Sequence, residues 1–200
     1  ARADYRIPST GLGVAILHQN VALLVGCAAP PPPPPAPARA GARGRPAAPT
    51  NGQPAPLQGF ADLKGRRVVV VGRGPGNKAL FGKIAAYHGL ALSDIDVVQA
   101  SSVTEVAAAA AAKRADALFM AFPRGDAVIG ESIRAMGCDG ERRPALIPLA
   151  EGSVFQARNK VFSAVELVPG EFGTNPLLPA EAVSTLGFPS LLVARQGLPK

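Results

Sequence analysis

Three glycines within five residues, Gly72, Gly74 and Gly76, with Pro75 between them and Asn77 and Lys78 directly after, are the densest concentration of potential chemistry in the chain. An unbroken valine run at 68–71 precedes them, and a helical pattern of Leu80, Phe81, Ile84 and Ala85 follows and stops at Gly89. Strand, glycine turn and helix in that order set unpaired backbone N–H groups and a partial positive charge at the turn, and glycines let a small anion approach the backbone closely.

Three readings of the turn compete. A dinucleotide fingerprint requires G-x-G-x-x-G, but the third place is Asn77, and the following strand ends Val97, Val98, Gln99 without a ribose-binding acid. A phosphate-binding P-loop requires a hydroxyl residue after its lysine, and Lys78 is followed by Ala79. The third reading is a turn that only packs helix against strand.

Further candidates stand at the carboxyl ends of the next strands, where open α/β sheets hold their ligands. Ser101 and Ser102 end the second strand, and Phe122 and Arg124 end the third. Ser102 is read as a helix cap, since Glu105 completes a Ser-x-x-Glu capping box. Arg124 is either a bidentate carboxylate clamp or an exposed arginine in the first turn of a helix. Phe122 either walls a pocket or fills the core. Catalysis finds no support: His88 falls at a helix end, Ser153 has no recognisable base, and the carboxylates form no pair. His18 has no second histidine or carboxylate beside it and is read as a surface or turn residue.

These residues need a scaffold, and the pattern supplies one. The valine run is of the kind buried on both faces of a parallel sheet. From residue 57 strands and helices alternate: strands at 68–71, 95–98, 115–121 and 145–149, with helices from 80, at 103–113 and at 124–136. Alternation of this kind predicts an α/β fold with a doubly wound, mostly parallel sheet. The alanine-rich helix is read as close packing on the sheet, with Lys113 and Arg114 favourably placed at its C-terminus.

Ahead of that block, residues 14–25 (VAILHQNVALLV) offer two apolar runs broken by His18, Gln19 and Asn20. They read as a strand or two. The rival reading is a lipoprotein signal ending at Cys27, against which the polar interruption of the apolar core argues. Residues 28–56 are rich in proline, alanine and arginine without apolar periodicity, so a spacer with Arg39, Arg43 and Arg45 solvated is expected.

The 200 residues are 48% hydrophobic with a mean hydropathy of +0.18, and no apolar run reaches the roughly 18 residues of a membrane span. The net charge is +7, but the basic residues are scattered, aromatics are 5%, and no nucleic-acid motif occurs. That charge reads as a solvated face or as attraction for acidic solutes. Cys27 and Cys138 are far apart in sequence and fit no metal or redox spacing, so they do not by themselves indicate a compartment.

In order, LKGRRVVVV, the glycine loop and helix, the Ser-x-x-Glu helix, Ala115-Asp116-Ala117-Leu118-Phe119 and Pro123 before another helix resemble the second lobe of the TAXI solute receptors, the extracytoplasmic binding proteins of TRAP transporters. Phe155-Gln156-Ala157 and the tail VELVPGEFGTNPLLPAEAVSTLGFPSLLVAR are similar to that family's return segment. The resemblance covers roughly 57–195 and, more loosely, 14–25. It implies a type II periplasmic-binding fold, with one lobe present and a remnant of the other. The implied domains are 1–27, a remnant of the first lobe or hinge strand; 28–56, the insert; 57–184, the solute-binding lobe; and 185–200, the return hinge strand. The apolar runs at 21–25 and 190–194 are then expected as neighbouring strands.

The family's loop usually reads Gly-Ser-Gly-Thr, and here Gly74-Pro75-Gly76-Asn77 stands in its place. Pro75 removes a hydroxyl and an N–H, while Asn77 keeps a donor and Lys78 adds a cation. The resemblance therefore implies capture of a small organic anion, a carboxylate or amino acid, by Gly74, Gly76, Asn77, Lys78, Ser101, Phe122 and Arg124. It implies no cofactor and no catalysis, a periplasmic monomer, and the membrane components of a TRAP transporter as partner. Two alternatives stay open: a nucleotide-dependent enzyme using the glycine turn, and a degenerate fragment that binds nothing.

Overall fold

The strand that comes first in the chain lies in the middle of the sheet. A computed structural model describes residues 11–28, 56–112, 115–138, 142–149 and 157–195. The insert expected at 28–56, with its three arginines, falls almost wholly outside the described residues, as do Lys113, Arg114, Ser153 and Phe155-Gln156. Strand β1 (Gly11–Ala28) takes in both apolar runs and the polar residues between them. The interruption at His18, Gln19 and Asn20 is therefore no break in structure, and Cys27 lies inside the strand.

Three strands form the parallel part. Strand β2 (Arg67–Val71) pairs in parallel with β3 (Asp96–Ala100) on one side and with β4 (Ala117–Pro123) on the other. Strand β1 runs antiparallel to β4, from Asn20 opposite Pro123 to Gly26 opposite Ala117. Its other edge is shared: β9 (Val183–Arg195) pairs with its first part, and β5 (Arg143–Ile147) with its last five residues. Strand β6 (Ser163–Leu167) completes the sheet against β9, and a small hairpin of β7 (Gly173–Thr174) and β8 (Leu177–Leu178) stands apart. The architecture is thus α/β, a mixed sheet with a parallel part at β2, β3 and β4 and antiparallel strands beside it, of the kind found in one lobe of a periplasmic-binding-protein-like fold. Residues 190–194 do run beside β1, but opposite 12–18; Val21 and Ala22 face Gly187 and Leu186.

Alternation along the strands fills both sides of the sheet. Ala22, Leu24, Val68, Val70 and Phe119 point to one side, where Phe60, Leu80, Phe81 and Ile84 close the core. Val21, Leu23, Val69, Val71, Leu118 and Met120 point to the other, against Val106, Ile129 and Ile133. Helix α1 (Pro75–Tyr87) begins with proline at its first position, where the missing N–H costs nothing. His88 caps it, donating its N–H to Ile84, and stacks on Phe60 with ring centroids 5.2 Å apart, so its place is structural.

Helix α2 (Val103–Ala111) starts at the expected cap: the Ser102 hydroxyl accepts from the Glu105 N–H at 3.2 Å. Its alanines are mainly exposed, however, and Val106 is its buried residue. The run reflects the high helix propensity of alanine rather than close packing. Helix α3 (Ala127–Met136) starts three residues later than expected, because Asp126 is the cap, its carboxylate accepting from Val128 N–H, and Arg124 lies ahead of the helix.

Cys27 and Cys138 are joined in a disulfide, with Cα atoms 5.8 Å apart across 111 residues of sequence. The fold supplies the proximity that spacing could not reveal. A bonded half-buried cysteine within a paired strand also leaves no thiol for a lipid, which corrects the rival reading of Cys27 as a lipid anchor.

Candidate functional site

The glycine turn sits at the carboxyl end of β2, beside the equivalent ends of β3 and β4. Its shape is held from two directions. From inside, the buried Asn77 donates its side-chain N–H to the carbonyl of Val71, the last residue of the strand. From the neighbouring strand, the Gln99 amide donates to the carbonyls of Gly72 and Gly74, at 3.2 Å each. Gly72 has φ +155°, and a Cβ there would come within 3.0 Å of the Asn77 amide nitrogen, so glycine is required by both conformation and space. Directly after these engaged carbonyls comes the N-terminus of helix α1.

At this turn lies a cleft of about 450 Å³. The turn contributes Gly72, Arg73, Gly74, Gly76 and Asn77 to its lining. The end of β4 contributes Ala121, Phe122 and Pro123, and the β1–β9 pair contributes His18, Asn20 and Ser190. Asn20 and Ser190 are buried, at 4% and 7% exposure, whereas His18 and Arg73 are exposed. The Asn20 amide nitrogen donates to the Phe188 carbonyl at 3.2 Å and to Ser190 Oγ at 2.7 Å, tying the two strands where they pass the cleft.

Of the residues expected at a site, Gly74, Gly76, Asn77 and Phe122 line this cleft. Asn77 does so with its donor already turned to Val71. Lys78 is exposed on α1 and Ser101 on the loop before α2, and neither belongs to the lining. Ser101 serves Glu105, whose carboxylate accepts from its N–H at 2.8 Å and its hydroxyl at 2.7 Å. Those bonds, the backbone one foremost, hold the Glu105 carboxyl below its ordinary value. Arg124 also lies outside the lining. Its guanidinium grips Glu171 at 2.7 and 2.9 Å and donates to the Glu166 carbonyl at 3.1 Å, while its own N–H donates to Gln19 O at 2.8 Å.

Sequence reasoning missed Arg73, His18, Asn20 and Ser190. For Arg73 a signal existed, since it stands inside the glycine turn. For Asn20 the signal was a polar residue directly ahead of five apolar ones, which was read as an interruption. Ser190 had none.

Among the described residues no group of His, Cys, Asp and Glu is placed to hold a metal ion, and no helix is long and apolar enough to cross a membrane. What the arrangement offers is recognition: backbone amides at a helix start, a guanidinium, an aromatic wall, and a neutral polar pair. A family model described as NMT1/THI5 like matches residues 52–156, a span that contains the glycine turn, Gln99 and the end of β4. Among curated proteins none matches the sequence.

Proposed function

The chain belongs to the NMT1/THI5-like family, a solute-binding family of the periplasmic-binding-protein type, and from that premise we propose that it captures a small organic anion in the cleft at the glycine turn and carries out no chemistry on it. The observation that carries this reading is the lining itself. Arg73, Gly74, Gly76 and Asn77, the last two in the first turn of α1, line one cavity, and the Gly72 and Gly74 carbonyls of the same turn are engaged by Gln99. A helix N-terminus contributes about 0.3–1 kcal/mol to an anion and a charge-assisted hydrogen bond about 1.5–3 kcal/mol. Their sum falls short of the roughly 8 kcal/mol of micromolar binding. A second wall closing over the solute is the remaining source, as in hinge-closing receptors.

The pairing of β1 and β9 beyond the cleft supports that closure. Ile16, Leu17 and Leu192 are exposed there, Ile16 to 68%, as fits strands that run on between two lobes. In this reading 57–184 is the solute-binding lobe, with hinge strands on either side of it. The order of motifs from 57 to 195 supports the finer assignment, a TAXI-type receptor that hands its solute to a TRAP-type transporter. Proteins of this family type usually work outside the cytoplasm, and the Cys27–Cys138 disulfide suits an oxidising compartment such as the periplasm.

Titration calorimetry with small mono- and dicarboxylates, on the chain and on an Arg73→Ala variant, tests the proposal. Carboxylate binding that weakens at least fivefold in the variant supports it. Stabilisation by a mononucleotide or NAD while carboxylates do nothing would favour a nucleotide-dependent enzyme and overturn it.

A further inference from the structure

The cleft has a charged end and a neutral end, and the neutral end is the more tightly built. Asn20 and Ser190 stand on β1 and β9, both more than nine-tenths buried, and both border the cavity. A backbone carbonyl can only accept, so the contact with Phe188 O fixes which end of the Asn20 amide is the nitrogen. That nitrogen also donates to Ser190 Oγ. Two consequences follow from valence. The Ser190 hydroxyl proton cannot point back at the amide that donates to it, so it points away from Asn20, and the Asn20 carbonyl oxygen lies at the opposite end of the amide from both bonds. The pair therefore has one donor, the Ser190 hydroxyl, and one acceptor, the Asn20 oxygen, left to offer a solute in the cleft that both residues line.

We propose that Asn20 and Ser190 read a hydroxyl group on the solute, so that the cleft selects hydroxycarboxylates over plain carboxylates and over amino acids. This rests on the anion-binding reading of the same cleft. A solute hydroxyl can accept from Ser190 and donate to the Asn20 oxygen at once. A methylene can do neither, and leaves two buried polar groups without partners. An ammonium can donate but not accept, and it would enter a cavity that Arg73 also lines.

Matched solutes test this on the full chain by titration calorimetry: lactate against propionate and alanine, and malate against succinate. The expected result is a preference for the hydroxy acid of about tenfold or more, by the cost of an unpaired buried group. Ser190→Ala should reduce the hydroxy acid to the level of its plain partner, whatever the change common to both, and Ser190→Thr, which keeps a hydroxyl, should restore part of the preference. Loss of packing alone would weaken both members of a pair equally and would leave the preference intact. Equal binding of lactate and propionate by the unaltered chain, or a preference that survives Ser190→Ala, overturns the inference but leaves the anion site standing. Absence of binding by every carboxylate overturns both.

Discussion

The guanidinium of Arg124 meets the carboxylate of Glu171 with both ends, Nε to Oε1 at 2.7 Å and Nη2 to Oε2 at 2.9 Å. The arginine at the end of β4 thereby fastens the turn after β6, and the Glu171 carboxylate in turn accepts from Val168 N–H at 3.1 Å. Partial burial pushes the Glu171 carboxyl up, but the hydrogen bonds from Arg124 and Val168 and the Arg124 charge outweigh it, leaving the carboxyl below its ordinary value. A depressed folded value means a contribution that is complete above the ordinary glutamate range of about 4.3 and is lost as pH falls through the lower folded value. Arg124→Ala should cost about 0.5–1 kcal/mol at neutral pH, discounted for solvent screening of a pair whose arginine is 41% exposed. The difference in melting temperature between variant and parent should shrink as pH falls below 4. Solute affinity should stay within about threefold, as expected of a residue outside the cleft lining.

Asn77 and Gln99 hold the same turn from different depths, and their variants should separate. Asn77→Ala leaves the Val71 carbonyl without its buried donor and should cost about 1–3 kcal/mol of stability along with binding. Gln99→Ala removes an exposed side chain and should leave stability within about 0.5 kcal/mol. It should still weaken anion binding several-fold, because the Gly72 and Gly74 carbonyls are freed to turn. Urea denaturation and calorimetry on both variants check the split.

Gly130 on α3 faces the backbone of Phe172, and a Cβ there would lie 2.5 Å from that carbonyl oxygen. Backbone cannot swing aside as a side chain can. Gly130→Ala should therefore destabilise by about 1–3 kcal/mol despite alanine's better helix propensity. The urea midpoint measures it.

Much of the central block was legible because its signals are local. The valine run, the Ser102–Glu105 capping box and the glycine turn each declare themselves within a few residues, and the sheet follows from their alternation. The candidate site was legible only where it coincides with that turn. Its other half comes from β1 and β9, where Asn20 and Ser190 are 170 residues apart in sequence and meet only through strand pairing. Arg124 misled for a related reason: an arginine at a strand end has the chemistry of a clamp, and its partner Glu171 lies 47 residues away.

Cys27 and Cys138 join the end of β1 to the segment just after α3. The double variant Cys27→Ser, Cys138→Ser should lose about 2–4 kcal/mol, in keeping with the closure of a long loop. Peptide mapping by mass spectrometry without reductant should find the two cysteines in one linked pair. Free thiols at both positions in protein folded under oxidising conditions would contradict it.

The central place of β1 also sets the order of assembly. The strand is the first of the described elements to be synthesised, yet its partners are β4, β5 and β9, of which the nearest begins at Ala117 and the last ends at Arg195. Until those residues are made, its row of N–H and C=O groups and the apolar run at 21–25 have nothing to pair with, and a chain with such long-range pairing folds slowly. The sheet therefore cannot close on both edges of β1 until the residues up to Arg195 have been made.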